Sequence, residues 1–353
     1  MDMAKQDRNK EQKRLGIALV GLGTYSEQEL GPALKETNHC YLAGVVSSER
    51  DKCEQWQKEY NLKDENLYSY DDFDEISSNK DIDIVYVVLP NDMHAEFVTR
   101  AAKAGKHVIC EKPMATSVED CQRMIDACRE AGVKLAIGYR LHYDPYHQEM
   151  MRLGQDEVYG KVKKLIAKNG MDVGDENQWR LDREDAGGGP LMDVGIYCVQ
   201  GVIYTKGALP VSVTARFTKK QDPEKFDEVE EGLTWEMQFA DGTEAFCETS
   251  YVKEQNLLRA EAENGWFELA PVAYEYRGLS GRTSDGPMNF KEVRQQALQM
   301  DDFARCIIEG RESIVPGEMG MRDVQILEAI YEAARTGKKV ELHLEPFENL
   351  VEM

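Results

Sequence analysis

The sequence LGIALVGLG at residues 15–23 decides the fold. Its first six residues form a short apolar run, which is typical of a buried strand in a parallel sheet. Gly21 allows the tight turn that follows, and Gly23 lets backbone amides approach a pyrophosphate at the positive end of the next helix. Ser26 stands where a third glycine would complete the dinucleotide fingerprint, so the motif alone is equally compatible with an ordinary turn.

The pattern around this stretch favours a nucleotide-binding fold. Apolar runs recur at 41–46, 84–89, 108–110 and 134–137, and they alternate with helical stretches, as a doubly wound parallel sheet requires. The clearest helix is predicted over 117–131, where Ser117 can cap the N-terminus and apolar residues fall on one face. We therefore predict an α/β protein with an N-terminal Rossmann domain that binds a dinucleotide over residues 15–138.

The second half of the chain, residues 139–353, has a different pattern. Residues 233–239 alternate between apolar and other side chains, and Asp241-Gly242 and Asn264-Gly265 supply hairpin turns. Helical patterns close the chain at about 290–308 and about 321–336. These features predict an α+β domain with an open, largely antiparallel sheet that binds substrate and mediates oligomerisation.

An open sheet also suggests a subunit interface. Unless a helix layer or another subunit covers it, such a sheet would expose apolar area, including that of Leu233 and Trp235. A homodimer or homotetramer is therefore expected.

The composition excludes several classes of function. The 353 residues include 65 acidic and 43 basic side chains, which gives a formal net charge of -22. Such a charge repels phosphate backbones and anionic membranes, so no nucleic acid or membrane partner is expected. The eight cysteines are scattered without the close pairs of a zinc site, and we interpret them as reduced core residues. Residues 1–14 form a polar N-terminal arm without the apolar stretch of a secretory signal, so a cytoplasmic location is expected.

The residues after the predicted second strand indicate which dinucleotide is bound. A Rossmann domain that prefers NAD carries a carboxylate there, which accepts hydrogen bonds from the ribose hydroxyls. This chain has Ser47-Ser48 instead, followed by Arg50 and Lys52. A hydroxyl and two cations suit the 2'-phosphate of NADP better than a bare ribose, so NADP is the predicted cofactor. The alternative is that both cations are solvated residues at the start of a helix, beside Glu49 and Asp51.

Two short stretches carry candidate catalytic residues. Lys112 follows the predicted strand at 108–110, at the carboxyl edge where open α/β sheets bind ligands, and could donate a proton or orient a hydroxyl. Asp193 and Tyr197 lie four residues apart on a predicted helix after the glycines at 187–189. A carboxylate beside a phenol can bind and deprotonate a sugar hydroxyl. The same spacing would arise if Lys112 were a solvated surface residue, Asp193 an aspartate near a helix N-terminus and Tyr197 a core residue.

Longer motifs show that the chain resembles the Gfo/Idh/MocA oxidoreductase family. They comprise Glu111-Lys112-Pro113 after a strand, Asn91 with His94 after the fourth strand, and residues 189–197. Within the family the chain is most similar to the glucose-fructose oxidoreductase branch, in which tyrosine replaces the more usual histidine at the position of Tyr197. The motifs that carry this likeness are residues 111–117, 138–140, 142–145, 178–180 and 330–337.

The resemblance implies a reaction and a role for each candidate. The reaction is hydride transfer between the nicotinamide of NADP and C1 of a pyranose sugar, which turns an aldose into an aldonolactone without a metal. Tyr197 would be the general acid/base at the C1 hydroxyl, Lys112 would favour its phenolate form, and Asp193 would position the sugar and hold Lys112. Tyr139, Trp179 and Arg180 would line the sugar and nicotinamide pocket. The implied cofactor contacts are Gly21, Gly23, Thr24, Tyr25, Ser47, Arg50, Lys52, Leu89, Pro90, Asn91, His94, Glu111, Lys112, Arg140, Trp179 and Arg180.

Three hypotheses about function follow. The first is an enzyme that retains NADP, oxidises one sugar and reduces another, as the resemblance implies. The second is a conventional NADP-dependent aldose dehydrogenase or ketosugar reductase with an exchangeable cofactor. It is favoured because fourteen residues without proline precede Leu15, whereas the resemblance implies a long proline-rich arm that wraps the cofactor. The third is a non-catalytic nucleotide-binding regulator, which would not need Lys112, Asp193 and Tyr197 together.

Overall fold

The computed structural model describes residues 13–174 and 178–345, and its first sheet lies in the N-terminal half. The strands of this sheet are β1 Leu15–Val20, β2 Cys40–Val46, β3 Leu67–Tyr68, β4 Ile84–Val87, β5 His107–Cys110 and β6 Leu135–Ile137. All of them run parallel, in the order β3-β2-β1-β4-β5-β6. This is the order of dinucleotide-binding folds, whose ligands bind where the order reverses, between β1 and β4. Every residue of β1 is buried, as its continuous apolar run predicts.

Helices connect these strands. They are α1 Gly31–Leu34, α2 Arg50–Tyr60, α3 His94–Lys103 and α4 Val118–Ala131. The fourth begins where the sequence predicts, because the Ser117 side chain accepts a hydrogen bond from the Asp120 amide at 3.1 Å. Gly132 ends it in the left-handed conformation. The helical segment after the glycine loop is unusual, since it has a π-helical turn over Ser26–Leu30 before α1.

The second sheet is larger and mixed. Its strands are β7 Val162–Asp172, β8 Pro210–Phe217, β9 Gly232–Phe239, β10 Glu244–Ser250, β11 Val252–Ala262, β12 Gly265–Leu269, β13 Gly281–Thr283, β14 Gly286–Pro287 and β15 Val340–Glu341. The order is β14-β13-β12-β11-β7-β10-β9-β8-β15, in which most neighbours are antiparallel and β7 runs parallel to β10. Asp241-Gly242 forms the first predicted hairpin turn. The second turn is shifted by one residue from the predicted Asn264-Gly265, because Gly265 already pairs with Ala262 in β12 and Glu263 and Asn264 make the turn. The predicted fold class is confirmed.

Five helices accompany this sheet among the described residues. They are α5 Pro145–Gln155, α6 Arg183–Ala186, α7 Ile196–Lys206, α8 Gln295–Glu309 and α9 Gly317–Thr336. Ten of the eleven residues of α7 are buried, and a Cβ added to its Gly201 would lie 3.2 Å from the Leu258 side chain of β11. The helix therefore packs directly on one face of the sheet. No helix within the described ranges is long and apolar enough to cross a membrane.

Leu233 and Trp235, which an uncovered sheet would expose, lie on the face that the helix layer covers. Both are buried, at 0% and 2% exposure. Trp235 pairs with Cys247, and the same row of side chains continues across the sheet to Leu258, which contacts α7. A period of two shows which residues share a face, but it does not show which face the helices cover. These two side chains therefore give no support to a subunit interface.

Candidate active site

The glycine loop after β1 is shaped to hold a pyrophosphate. Gly21 has a φ of +96°, and a Cβ added there would lie 2.2 Å from the Val88 carbonyl oxygen, so only glycine fits. Gly23 and Thr24 are exposed, and no described atom lies within 4 Å of the position that a Gly23 Cβ would take. Ser26, in place of the third glycine, is fully buried and donates a hydrogen bond to the Gly21 carbonyl oxygen at 2.6 Å. The serine thus stabilises the turn, and the loop fits a dinucleotide.

The predicted 2'-phosphate residues lie at the end of β2 and the start of α2. Ser47 is buried, and its hydroxyl accepts a hydrogen bond from the Glu49 amide at 3.1 Å. Lys52 pairs with Glu49 at 2.6 Å, and Arg50 lies 3.5 Å from Glu54. Both cations are exposed to solvent, which leaves them accessible to a ligand. Their acidic neighbours weaken the local positive field.

The loop after β4 is held by buried polar side chains. His94 is fully buried, with Nε2 2.9 Å from the Leu89 carbonyl oxygen and Nδ1 3.0 Å from that of Pro113. Burial lowers the pKa of this imidazole. The Asn91 amide donates to the Ala186 carbonyl oxygen at 2.9 Å, which joins the loop to α6 in the second half of the chain. His94 and Asn91 therefore fix the shape of the loop, and Leu89 and Pro90 are its first residues.

Lys112 and Asp193 meet between the two halves of the chain. The Lys112 Nζ donates to the Asp193 carbonyl oxygen at 2.7 Å and lies 3.2 Å from its Oδ1. The Oδ2 of Asp193 accepts from Arg180 Nε at 3.0 Å and from the Tyr251 hydroxyl at 3.1 Å. Asp193 lies in a π-helical turn over Leu191–Gly195, directly before α7. The side chains of Lys112 and Asp193 are both 13% exposed, so solvent screens the pair only weakly.

Both members of this pair keep their charge. Burial alone would raise the pKa of Asp193, but the Lys112 ammonium and the Arg180 guanidinium outweigh it and hold that pKa at about 2. Burial would lower the pKa of Lys112, but the charges of Tyr197 and Asp193 outweigh it and raise the pKa above its ordinary value. Lys112 is therefore an ammonium at neutral pH and acts through its charge, whereas the sequence alone also allowed a proton donor.

Tyr197 lies beside two buried cations. Its ring centroid is 4.9 Å from Lys112 Nζ and 5.2 Å from Arg140 Cζ, and the residue is 9% exposed. Arg140 is fixed by donating to the Glu275 carbonyl oxygen at 3.0 Å and to the Gln295 side chain. Its Nε is buried without a hydrogen-bond partner among the described residues. A spare cationic donor next to a phenol suits an anionic or polyhydroxylated ligand.

Three further predicted residues flank this centre: Trp179, Arg180 and Glu111. The Arg180 guanidinium lies over the Trp179 ring, 4.6 Å from its centroid, beside Asp193. The Glu111 carboxylate accepts from the Tyr86 hydroxyl at 2.7 Å and lies against Gly138, where an added Cβ would be 2.6 Å from Oε1. Glu111 thus orients the strand end that carries Lys112, with its carboxylate turned into the protein.

Two family models match most of the chain. The oxidoreductase family, NAD-binding Rossmann fold, matches residues 15–139, and the oxidoreductase family, C-terminal alpha/beta domain, matches residues 155–342. The chain belongs to the Gfo/Idh/MocA oxidoreductase family. This confirms the resemblance drawn from the motifs around Lys112 and Tyr197.

Several members of the Gfo/Idh/MocA family and structural neighbours are similar over nearly the whole chain. The aldose-aldose oxidoreductase from Caulobacter crescentus, solved with glycerol, is 40% identical with a TM-score of 0.91, and the match covers 94% of this chain and 100% of that one. The D-xylose 1-dehydrogenase [NADP(+)] of Haloarcula marismortui is 27% identical over 349 residues, or 96% of each chain. Levoglucosan dehydrogenase, solved with NADH and levoglucosan, has the same fold at 19% identity, with a TM-score of 0.80 and coverage of 93% and 99%.

One residue that the Gfo/Idh/MocA resemblance assigned to the pocket lies elsewhere. The Tyr139 ring is buried, at 2% exposure, and its hydroxyl is next to the Asp323 carboxylate of α9. Burial, with a contribution from Asp323, raises the pKa of Tyr139 well above its usual value. Tyr139 is therefore a core residue behind the site, and its assignment to the sugar pocket is corrected. The adjacent Arg140 instead contacts the rings of Tyr197 and Tyr276.

Two residues of the site were missed by the sequence reasoning. Tyr251 holds Asp193 as described above, and the Tyr276 ring lies 4.3 Å from Arg140 Cζ and 5.6 Å from the Tyr25 ring. Burial and the charge of Tyr197 raise the pKa of Tyr276 to about 12. Neither tyrosine belongs to a recognisable motif, because Tyr251 lies between β10 and β11 and Tyr276 lies in the loop between β12 and β13.

Proposed function

We propose that this oxidoreductase is an NADP-dependent sugar oxidoreductase that moves a hydride between the nicotinamide and C1 of a pyranose. The observation that carries the proposal is the position of the Tyr197 phenol, between the charges of Lys112 and Arg140. Its neighbour Arg140 also contacts Tyr276, whose ring lies 5.6 Å from that of Tyr25 beside the glycine loop after β1. A phenol supported by two cations is suited to exchange a proton with a sugar hydroxyl.

The chain's own residues handle the proton in this reaction. In the oxidative direction, Tyr197 accepts the proton of the C1 hydroxyl while Lys112 and Arg140 stabilise the negative charge on the oxygens. Bound NADP supplies the hydride acceptor for the C1 hydrogen, and the product is a lactone. In the reductive direction Tyr197 returns the proton. Asp193 remains a carboxylate and takes no part in proton exchange, because its pKa is held at about 2.

Asp193 instead orients the groups around the sugar. Its carboxylate binds Lys112 and Arg180 on different oxygens, so it fixes the ammonium relative to the guanidinium. Arg180 and Trp179 together present a charged group and an aromatic face, which suit the hydroxyls and the apolar face of a pyranose. We assign Lys112, Asp193 and Tyr197 to catalysis, and Trp179 and Arg180 to the pocket.

The preference for NADP rests on Ser47, Arg50 and Lys52. We expect the cations at the start of α2 to bind a 2'-phosphate, and the D-xylose 1-dehydrogenases similar to this chain are named as NADP enzymes. Levoglucosan dehydrogenase, which shares the fold, was solved with NADH. Cofactor choice therefore varies among these proteins and depends on the local residues.

Two modes of turnover have support. The aldose-aldose oxidoreductase, at 40% identity, favours a cycle in which one sugar is oxidised and a second is reduced. The D-xylose 1-dehydrogenases favour a conventional dehydrogenase that exchanges its cofactor. Both modes need the same proton chemistry at Tyr197 and differ in whether NADP leaves between half-reactions.

The test is the absorbance and fluorescence spectrum of extensively dialysed protein before and after addition of xylose or glucose. A reduced-nicotinamide signal is expected, either from retained cofactor or after NADP is supplied. Tyr197→Phe should reduce its rate of appearance at least 100-fold, whereas Tyr159→Phe should leave it unchanged, because the Tyr159 hydroxyl binds Asp285 at an exposed site. The proposal fails if the wild-type protein reduces NADP with no sugar, or if the two variants behave alike.

A further inference from the structure

A short segment of the second half reaches across to the glycine loop. We call residues 274–278 the strap. Its Glu275 carbonyl oxygen accepts a hydrogen bond from Arg140 at 3.0 Å, and Arg140 lies beside Tyr197. Its Tyr276 ring contacts the ring of Tyr25, which directly follows the glycine loop. The strap therefore connects the proposed nicotinamide end of the site with the pyrophosphate end.

A bidentate ion pair joins the strap to the nucleotide-binding half. Arg277 donates to both oxygens of Glu29, at 3.1 and 3.0 Å. Glu29 lies on the π-helical turn that follows the glycine loop, and its side chain is 9% exposed, whereas that of Arg277 is 51% exposed. A carboxylate this buried needs a partner, and the parallel geometry is the strong form of an arginine–carboxylate pair.

Other contacts hold the two halves together independently of the strap. Asp301 of α8 accepts hydrogen bonds from the backbone amides of Asn38 and His39, at 2.7 to 2.9 Å. Arg294 pairs with Glu36 at 2.7 Å and also lies 3.9 Å from Glu29. Because the Asp301 contacts involve neither the strap nor Glu29, the Arg277–Glu29 pair can open without separating the two halves.

We propose that the strap closes over the bound dinucleotide and that the Arg277–Glu29 ion pair is the latch that slows its release. The inference rests on one part of the proposed function, which is that the protein binds NADP. On this proposal, the residues that slow release of the cofactor lie within the folded protein, near the glycine loop. Retention is what a two-sugar cycle requires, because the reduced cofactor must stay until the second sugar arrives.

The experiment measures the dissociation rate constant of NADPH by stopped-flow fluorescence, with excess NADP as the competitor. Arg277→Met is expected to raise this rate constant about tenfold, which corresponds to about 1.4 kcal/mol. Glu29→Gln should give a similar increase without changing the side-chain shape, and Arg277→Lys should give a smaller one.

The matched control is Arg282→Met. Arg282 also pairs with a buried carboxylate, Glu268, at 2.6 Å, but it lies on β13 of the second sheet. Its replacement should leave NADPH release unchanged. Release from Arg277→Met within twofold of wild type would overturn the proposal, as would an equal increase in Arg282→Met. The readout needs no sugar, so the loss of sugar oxidation would count against the proposed function without altering these rate constants.

Discussion

Replacing Lys112 with methionine removes the ammonium group beside Tyr197 and keeps an unbranched side chain. The ammonium lies 4.9 Å from the phenol ring centroid, in a side chain that is 13% exposed. At this separation, two unit charges interact by about 3 kcal/mol when the effective dielectric constant is about 20. Since about 1.4 kcal/mol is a factor of ten in rate, kcat for sugar oxidation should fall by roughly two orders of magnitude.

The assay for Lys112→Met is the initial rate of NADPH formation at saturating sugar and NADP. The protein should remain folded, because Asp193 keeps its hydrogen bonds from Arg180 and Tyr251, and a thermal melt checks this. Lys112→Arg retains a positive charge and should retain more activity than the methionine variant. A kcat for folded Lys112→Met within about threefold of wild type would refute an electrostatic role for this residue.

Four other substitutions test separate parts of the site and the core. Gly21→Ala should prevent the native loop from forming and lower the melting temperature, because its Cβ would lie 2.2 Å from the Val88 carbonyl oxygen. Gly23→Ala should leave the melting temperature unchanged but weaken NADPH binding by about tenfold, as measured by fluorescence titration. Burial lowers the pKa of His147 to about 3, so unfolding takes up a proton between about pH 6.5 and about pH 3, and stability falls as the pH drops through this window. His147→Gln should reduce that slope by about 1.4 kcal/mol per pH unit in urea denaturation at several pH values, and an unchanged slope would contradict the burial effect. Arg50→Ser should lower the ratio of kcat/KM for NADP over NAD by about tenfold, and a constant ratio would remove Arg50 from cofactor selection.

The regular elements could be predicted because their signals are local. The apolar run at 15–20 and the cap at Ser117 correspond to β1 and α4 with the expected boundaries. The two-residue strand β3 was not predicted, because Leu67 and Tyr68 are too few to form a pattern. The sequence left open whether helices or another subunit cover the apolar face of the second sheet, since the position of α7 is a tertiary property.

For the site, too, residues in local motifs could be predicted, whereas contacts that depend on tertiary packing could not. The motifs around Lys112, Asp193 and Tyr197 pointed to groups that the fold brings together within a few ångströms. Tyr139 was placed in the pocket by the family resemblance, although its own side chain packs towards α9. Tyr276 could not be predicted, because it comes from a stretch with no repeating pattern and reaches Arg140 only through the packing of two sheets.

The most direct measurement uses an aldose deuterated at C1, either glucose or xylose, and the mass of the reduced dinucleotide that forms. Direct hydride transfer from C1, with Tyr197 taking only the hydroxyl proton, predicts NADPH that carries one deuterium. NADPH without deuterium would show that the hydride comes from another carbon, and it would contradict the proposed arrangement of the sugar at Tyr197 and Lys112.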